Sequence, residues 1–488
     1  MKPDLPLIQR VTKGGMWVFA LRVLENALRL LKLVIVARIL APHDFGLFGI
    51  ALLAMATLET FSQTGFQTAL VQKKGDISSY LDTVWTVSIF RGIVLFIILF
   101  VAAPYIALFF NNPQASLIIR VVGATLCVGG FANSGIVSFQ KELEFNKQFL
   151  YRFATAIVDF IVVVVVAIVY KNVWALVFGL LAGSIAGLVA SYVIHPYRPH
   201  FRLDVNKTRE LFGFGRWVFG SAILVFLITQ GDDAFVGKFL GATMLGFYQM
   251  AYRISNMPAT EITHVISQVT FPAYAKIQDD ASRLRDAYMR VLKFTAFLSF
   301  PIAALIFVLA PDFTRIFLGE KWMPMVPAMQ VLACEGLVRS IAATTGPLFY
   351  ASGRPGVDTR WQMIRLFVMA LLIYPFTMKW GILGASIVVL VSIVISTVGF
   401  SYKAMTITGC TFKNFSKALF FPLLNGIIVV VAVFLFKKSA DLDGILGFFA
   451  LMGTGLIMYL GLTYLADRSL TYNIQLLIKG GFNSVIGR

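Results

Sequence analysis

The chain has 488 residues, of which 58% are hydrophobic and only 14% charged, with a mean hydropathy of +0.81. This composition excludes an ordinary soluble globular protein and predicts one that crosses a membrane many times. The net charge of +18 does not indicate a nucleic-acid partner. The excess of positive residues on the cytoplasmic side of membrane proteins, together with anionic lipid headgroups, accounts for it more simply.

Long apolar runs predict fourteen transmembrane helices, and therefore an all-α polytopic membrane protein. The connections are short and leave no room for a catalytic domain outside the membrane. The three cysteines lie in or beside apolar runs without a CxxC pair, which predicts free thiols, no disulfide and no metal site. The predicted spans are residues 14–40, 44–70, 82–110, 115–139, 150–170, 173–195, 211–239, 244–271, 287–310, 324–351, 360–378, 381–405, 415–436 and 444–466.

Lysine and arginine are concentrated in alternate connections. The basic set includes the connections with Lys73 and Lys141 and the segment 198–209, whereas the connections with Lys171 and Lys238 belong to a set with far fewer cations. By the positive-inside rule, both termini lie in the cytoplasm, as an even number of spans requires.

The first span carries Arg22, Glu25, Arg29 and Lys32 near its middle, where a membrane helix normally has no charge. At 100° per residue these positions fall within an arc of roughly 80°, so they form one stripe. Each cation facing lipid at the bilayer centre would cost about 2.5–3.5 kcal/mol, so the stripe should line a polar interior. Its net positive charge indicates an anionic cargo, with a structural ion-pair network as the alternative.

The chain repeats itself at an offset of two hundred residues. Gly, Trp, Val and Phe at 15 and 17–19 recur at 215 and 217–219, and Gly46 recurs as Gly246. Chance similarity between apolar runs is the alternative. Six spans separate the copies, so both halves would have one orientation and be related by an axis along the membrane normal. The predicted domains are a six-helix bundle (1–195), a cytoplasmic linker (196–210), a second six-helix bundle (211–405), and two extra helices with a cytoplasmic tail (406–488).

The eighth span has polar residues along one face. Arg253, Asn256, Thr260, His264 and Gln268 follow each other at helical spacing. They could form a hydrogen-bonding wall for sugar hydroxyls. Polar contacts between packed helices are the alternative.

Four carboxylates within the predicted spans are candidates for ion coupling: Glu59, Asp159, Asp232 and Asp233. The two aspartates at 232 and 233 end the apolar run of the seventh span. They could bind a coupling ion or pair with the cations of the first span, and solvated interfacial charge is the alternative.

Two of the predicted spans should contain internal ion pairs. Asp159 stands alone in the fifth span and needs a partner such as Arg91 or Arg120. In the tenth span, Glu335 and Arg339 are four residues apart and are predicted to pair with each other.

Four short segments resemble bacterial polysaccharide transporters, the O-antigen and colanic-acid type flippases of the multidrug/oligosaccharidyl-lipid/polysaccharide (MOP) exporter superfamily. The similarity runs from about residue 10 to residue 400, and the ordered set is more specific than any single segment. The segments are 37–48 (ARILAPHDFGLF), 231–241 (GDDAFVGKFLG) with 246–248 (GFY), 271–274 (FPAY) and 318–322 (LGEKW).

The resemblance implies a flippase of the bacterial inner membrane that moves an undecaprenyl-diphosphate-linked oligosaccharide by alternating access and needs no cofactor. It also implies membrane lipids as partners, together with a polysaccharide polymerase and the export machinery. The cationic stripe fits a diphosphate cargo independently. The sugar cannot be carried over, because the family lacks an invariant substrate-binding signature.

Two other functions are alternatives. A membrane-embedded polysaccharide polymerase or glycosyltransferase usually needs a large loop or domain with catalytic carboxylates, which this chain lacks, so an enzyme with catalytic residues is not expected. A drug efflux antiporter with the same fold would need an acidic cavity for cationic drugs, whereas the first span is net basic.

Overall fold

The computed structural model describes residues 7–63, 65–73, 75–142, 144–440 and 444–470, and their side chains except at 7–20, 67–68, 72, 210–222, 265, 440 and 466–470. Every regular element in these residues is helical. The α-helices are α1 (Leu7–Ile39), α2 (Pro42–Phe61), α3 (Phe66–Gln72), α4 (Ser78–Phe109), α5 (Ala115–Gly130), α6 (Val137–Lys141), α7 (Phe145–Tyr170), α8 (Trp174–Ile194), α9 (Val205–Leu240), α10 (Ala242–Ala275), α11 (Ala281–Phe313), α12 (Val326–Ala342), α13 (Gly346–Ala351), α14 (Pro355–Thr408), α15 (Phe412–Ala440) and α16 (Gly444–Leu470). Short turns of other helix types occur at Ser134–Ile136, Thr314–Leu318 and Glu320–Met325.

The length and apolar character of these helices make the chain a multi-pass membrane protein. Within the described residues, nine helical segments are long and apolar enough to cross a membrane, or ten if α5 and the bent segment after it form one span. The helices α1 and α9 are equally long but carry more charge, and α10 has only two charges but many polar side chains. The all-α class is confirmed, and the number of fourteen spans stays a prediction.

The 54-residue helix α14 is a helical hairpin broken at Gly381, which has φ 60° and ψ −138°. A Cβ added at Gly384 would lie 2.0 Å from the Phe376 carbonyl oxygen, and one at Gly399 would lie 2.3 Å from the Trp361 ring. Both contacts are symmetric about the break, so the two arms run antiparallel. Each arm is about 40 Å long, enough to cross a bilayer.

Large apolar side chains cover much of the outer surface of these helices. Phe90 on α4 is 71% exposed and Val193 on α8 is 77% exposed. In water such a surface would promote aggregation, whereas in a bilayer it contacts lipid tails.

The chain forms two compact units, Met1–Gly246 and Phe247–Arg488. In the first unit, one core cluster joins α1 to α7 and α8 through residues such as Val36, Leu40 and Val163. The second unit has a larger core around Tyr288, Leu292 and other residues of α11 to α16. The predicted bundle boundaries stay a prediction, and the predicted equivalence of Trp17 and Trp217 falls on side chains outside the described residues.

The connection after α8 is docked on the first unit. The Tyr197 hydroxyl donates to the Asp82 carboxylate of α4, which also accepts the His200 backbone N–H at 2.9 Å. The Asn133 side-chain amide donates to the Tyr197 carbonyl oxygen at 2.6 Å. These bonds hold a segment that the sequence would leave as an unstructured link.

Candidate functional site

The charged stripe of α1 lies on a partly accessible face of the first unit. Arg22, Glu25 and Lys32 are partly exposed and Arg29 is exposed, while Leu33 and Val36 beside them are buried. The stripe therefore lies along the margin between the packed side of α1 and its accessible side.

Lys32 forms an ion pair with Asp159 of α7. The Lys32 Nζ and an Asp159 carboxylate oxygen are 2.5 Å apart, and the two side chains are 26% and 23% exposed. The sequence identified both residues separately, as a cargo contact and as an ion-coupling candidate, and did not pair them. The pair joins one cation of the stripe to a second helix.

The predicted partners of Asp159, Arg91 and Arg120, are wrong. Arg91 donates to the carbonyl oxygens of Glu59 and Ser62 at 3.3 and 3.0 Å, so it satisfies the carboxyl end of α2. The Arg120 guanidinium lies over the Phe100 ring, 4.7 Å from its centroid. Both arginines therefore interact with groups on neighbouring helices other than α7, Arg91 with α2 and Arg120 with α4.

Three glycines of α8 allow α7 to approach closely and fix the position of Asp159. Added Cβ atoms at Gly179 and Gly183 would lie 3.1 Å from the Asp159 side chain, and one at Gly187 would lie 3.2 Å from Thr155. The glycines recur every fourth residue, a spacing typical of tightly packed membrane helices. The close packing of α7 on this glycine face of α8 fixes the Asp159 carboxylate beside Lys32 of α1.

The second unit has a polar cluster at the predicted sugar-binding face of α10. Arg339 of α12 donates to the Tyr252 hydroxyl at 3.0 Å, the Asn256 carbonyl oxygen at 3.2 Å and the Thr260 hydroxyl at 2.5 Å. Asn256 is only 2% exposed. These contacts between helices are what the alternative interpretation of this face predicted for Asn256 and Thr260.

Arg253 and His264 differ from Asn256, because both are exposed. The His264 Nε2 and the Gln268 side-chain nitrogen are 3.0 Å apart on the same face. Arg253 and His264 are therefore accessible to a ligand, whereas Asn256 faces the packing interior.

The predicted pair of Glu335 with Arg339 is wrong. Glu335 is fully buried, and its nearest cation is Arg365 of α14, at 3.7 Å. Neither Glu335 oxygen accepts a hydrogen bond from any residue that the structure describes. Spacing of four residues puts two side chains on one face of a helix, but here the adjacent helices α10 and α14 supply the partners. Sequence spacing alone does not identify contacts between helices.

The other coupling candidates lie in the first unit. Asp232 on α9 is 4% exposed, Asp233 is partly exposed, and Glu59 is exposed near the end of α2. In the part of the chain that the structure describes, no group of three or more His, Cys, Asp or Glu side chains could hold a metal ion. The three cysteines, all described, are free.

The fold and the buried polar clusters define a polytopic membrane protein of a transporter fold. The structure resembles that of the lipid II flippase MurJ, with a TM-score of 0.75 and 16% identity over 94% of this chain and 99% of that one. It also resembles a multidrug resistance transporter of the MOP superfamily, with a TM-score of 0.63 and 16% identity over 79% and 95% of the two chains.

Residues 35–327, more than half of the chain, match the family described as "Polysaccharide biosynthesis protein". The chain belongs to this family, which confirms the resemblance seen in the sequence. One relative is the lipopolysaccharide biosynthesis protein WzxC of Escherichia coli K12, 26% identical over 86% of each chain. Another is the succinoglycan biosynthesis transport protein ExoT of Rhizobium meliloti, 22% identical over 94% of each chain.

Proposed function

We propose that this protein is a flippase for an undecaprenyl-diphosphate-linked oligosaccharide, the repeat unit of an exopolysaccharide, capsule or O-antigen. It carries the lipid-linked sugar from the cytoplasmic to the periplasmic leaflet of the bacterial inner membrane. The family membership and the names of the relatives support this class of cargo. The observation that carries the proposal is the accessible cationic face of α1, a helix that the sequence predicts to span the membrane.

The charge of this face suits a diphosphate. With Asp159 included, the cations Arg22, Arg29 and Lys32 exceed the two carboxylates by one. Lys32 is a lysine paired with Asp159, and the guanidinium groups of Arg22 and Arg29 are the better candidates for the phosphate oxygens because of their geometry. A guanidinium binds two oxygens of one phosphate at once, which a lysine ammonium cannot do.

The remaining parts of the proposal concern arrangement. Both termini are cytoplasmic, the bundles 1–195 and 211–405 change their relative tilt during transport, and the cargo binds between them. Arg253 and His264 are proposed contacts for sugar hydroxyls, and Asn256 is proposed to hold their helix in place. Coupling of transport to an ion is assigned to four carboxylates, those of Glu59, Asp159, Asp232 and Asp233. A polymerase and the export machinery receive the flipped sugar, and no cofactor takes part.

The test is polysaccharide export by cells that carry Arg29→Ala. We expect export to be lost while the protein remains in the membrane at normal abundance, because removing a cation from membrane depth lowers the insertion cost. Arg29→Lys should be partly active. The matched control is Arg38→Ala, since Arg38 is exposed on the opposite side of the same helix.

A second variant separates cargo contact from local neutralisation. In Glu25→Gln combined with Arg29→Ala, the carboxylate that Arg29 could neutralise is gone as well. If export returns in this double variant, the role of Arg29 is to neutralise the Glu25 carboxylate. The hypothesis that Arg29 contacts the cargo is then wrong. If export stays absent with normal protein abundance, Arg29 acts on the cargo.

A further inference from the structure

An open cavity of about 280 Å³ lies in the second unit, between the start of α11 and the start of α15. On α11 it is lined by Arg285, Asp286, Met289 and Lys293. On the other side it is lined by Cys410, Asn414, Lys417 and Ala418. None of these residues belongs to the proposed transport site.

The lining is cationic. Arg285, Lys293 and Lys417 face a single carboxylate, Asp286, so the cavity has a net charge of two positive units. Arg285 Nε and an Asp286 oxygen are 3.7 Å apart in an exposed pair, which is a weak interaction in water. The Asn414 amide adds donor capacity. An anion with several acceptor oxygens is the ligand that this lining fits.

Exposed apolar side chains follow the cavity lining along α15. Phe420 and Leu424, one and two turns beyond Lys417, are 55% and 41% exposed. They follow Lys417 on one side of the helix because their spacings are three and seven residues. On α11, Lys293 lies about 12 Å deeper than Arg285 along the helix. Acyl chains attached to a phosphate in the cavity could therefore lie along the apolar surface of α15 at Phe420 and Leu424.

We propose that this cavity binds the phosphodiester headgroup of an anionic membrane lipid, with its acyl chains along Phe420 and Leu424. Basic pockets between membrane helices on the cytoplasmic side bind such headgroups. The connections at 272–286 and 406–414 belong to the basic set that the sequence assigns to the cytoplasm. The site does not depend on the proposed transport function.

The test measures lipid binding by the full-length protein in nanodiscs or by mass spectrometry of the intact complex. We expect retention of phosphatidylglycerol over phosphatidylcholine, and at least tenfold weaker retention after Lys293→Gln combined with Lys417→Gln, since each basic residue contributes about 1 kcal/mol. The matched control is Lys413→Gln, which removes an exposed lysine from the same end of α15 without touching the cavity. The combination Lys293→Arg with Lys417→Arg should keep binding, which separates loss of charge from misfolding.

Cys410 provides a second readout, because its thiol lines the cavity. Burial raises the pKa of this thiol, so its alkylation should be slow. Phosphatidylglycerol should slow it at least threefold further, with Cys334 of α12 as internal reference. Equal protection by phosphatidylcholine, or no difference between the double glutamine variant and Lys413→Gln, would overturn the proposal. Protection by inorganic phosphate alone at millimolar concentration would show that the site takes soluble anions and that the lipid assignment is wrong.

Discussion

Gly46 and Gly246, two hundred residues apart, each lie against the backbone at the start of the other's helix. A Cβ added at Gly46 would be 1.7 Å from the Ala242 carbonyl oxygen, and one at Gly246 would be 2.0 Å from the Pro42 carbonyl oxygen. Pro42 and Ala242 are themselves two hundred residues apart. Such reciprocal contacts arise where a local two-fold axis relates two segments, and the duplication of the whole bundles stays a prediction.

Replacing Gly46 by alanine should separate the starts of α2 and α10, because no rotamer change moves a backbone carbonyl out of the way. We expect a loss of about 1–3 kcal/mol in the free energy of unfolding, as for other overpacked sites. The measurement is thermal unfolding in detergent. Gly129→Ala on α5 is the control, since no atom lies within 4 Å of the added Cβ. Equal unfolding temperatures for the two variants would contradict the close contact.

The junction between the starts of α2 and α10 should be close enough for chemical crosslinking. His43 Nδ1 and Thr243 Oγ1 are 3.3 Å apart. In a background without the three native cysteines, His43→Cys combined with Thr243→Cys should be joined by a short bifunctional methanethiosulfonate, which forms a reducible disulfide with each thiol and releases sulfinate. If the junction opens during transport, bridging should stop export and reduction should restore it. Each single cysteine variant is the control, and full export by the bridged protein would show that the junction stays closed throughout the cycle.

Removing one member of the Lys32–Asp159 pair should destabilise the first unit. Lys32→Met leaves a partly buried carboxylate without its partner, which we expect to cost about 1–3 kcal/mol, between the values for exposed and fully buried pairs. The combination Lys32→Met with Asp159→Asn should recover most of this loss in thermal unfolding.

Export by the Lys32→Met, Asp159→Asn double variant then separates structure from coupling. Full export would show that the pair is structural, which would remove Lys32 and Asp159 from the functional candidates. Loss of export in a stable double variant would show that one of the two charges acts in transport. The double variant tests a role that neither single variant can isolate, because each of those leaves a charge unpaired.

The docked connection after α8 should loosen in acid. His195, just beyond the end of α8, accepts the Tyr197 N–H on Nδ1 at 3.1 Å, and its Nε2 is 3.0 Å from the Ser138 hydroxyl. Burial and the nearby Lys147 lower the pKa of His195 below its ordinary value. The unfolded chain therefore takes up the proton first as pH falls. Stability from the neutral imidazole is fully present above about pH 6.5 and is lost as pH falls toward the folded pKa.

Hydrogen exchange of residues 195–204, corrected for intrinsic pH dependence, measures this loosening. Protection should fall between pH 7.5 and 5.5 in the natural protein, and His195→Gln should flatten the profile. Glu144, Glu142 and Arg198 also act on the imidazole, so these residues are kept unchanged. His200→Gln is the control: the His200 side chain is exposed and its charged form favours the Asp82 carboxylate, so its removal should not flatten the profile. Protection that does not depend on pH would contradict the proposed role of the imidazole.

The sequence predicted the membrane class and the family, because apolar runs and short ordered motifs are local properties of the chain. It also identified Asp159 and Lys32, because an isolated charge in an apolar run is conspicuous. It did not pair them, since helical spacing gives the face of a residue on its own helix and not the helix packed against that face. The same limit explains why Glu335 was paired with Arg339 instead of Arg365.

The Lys32–Asp159 pair also constrains the order in which the protein can mature. The two residues are 127 positions apart, so at 5–20 residues per second Lys32 is synthesised about 6–25 s before its partner. During that interval α1 has no acidic group from α7 to neutralise Lys32. Neutralisation of Lys32 therefore waits for the synthesis of α7, and the stable position of α1 in the membrane depends on the arrival of that helix.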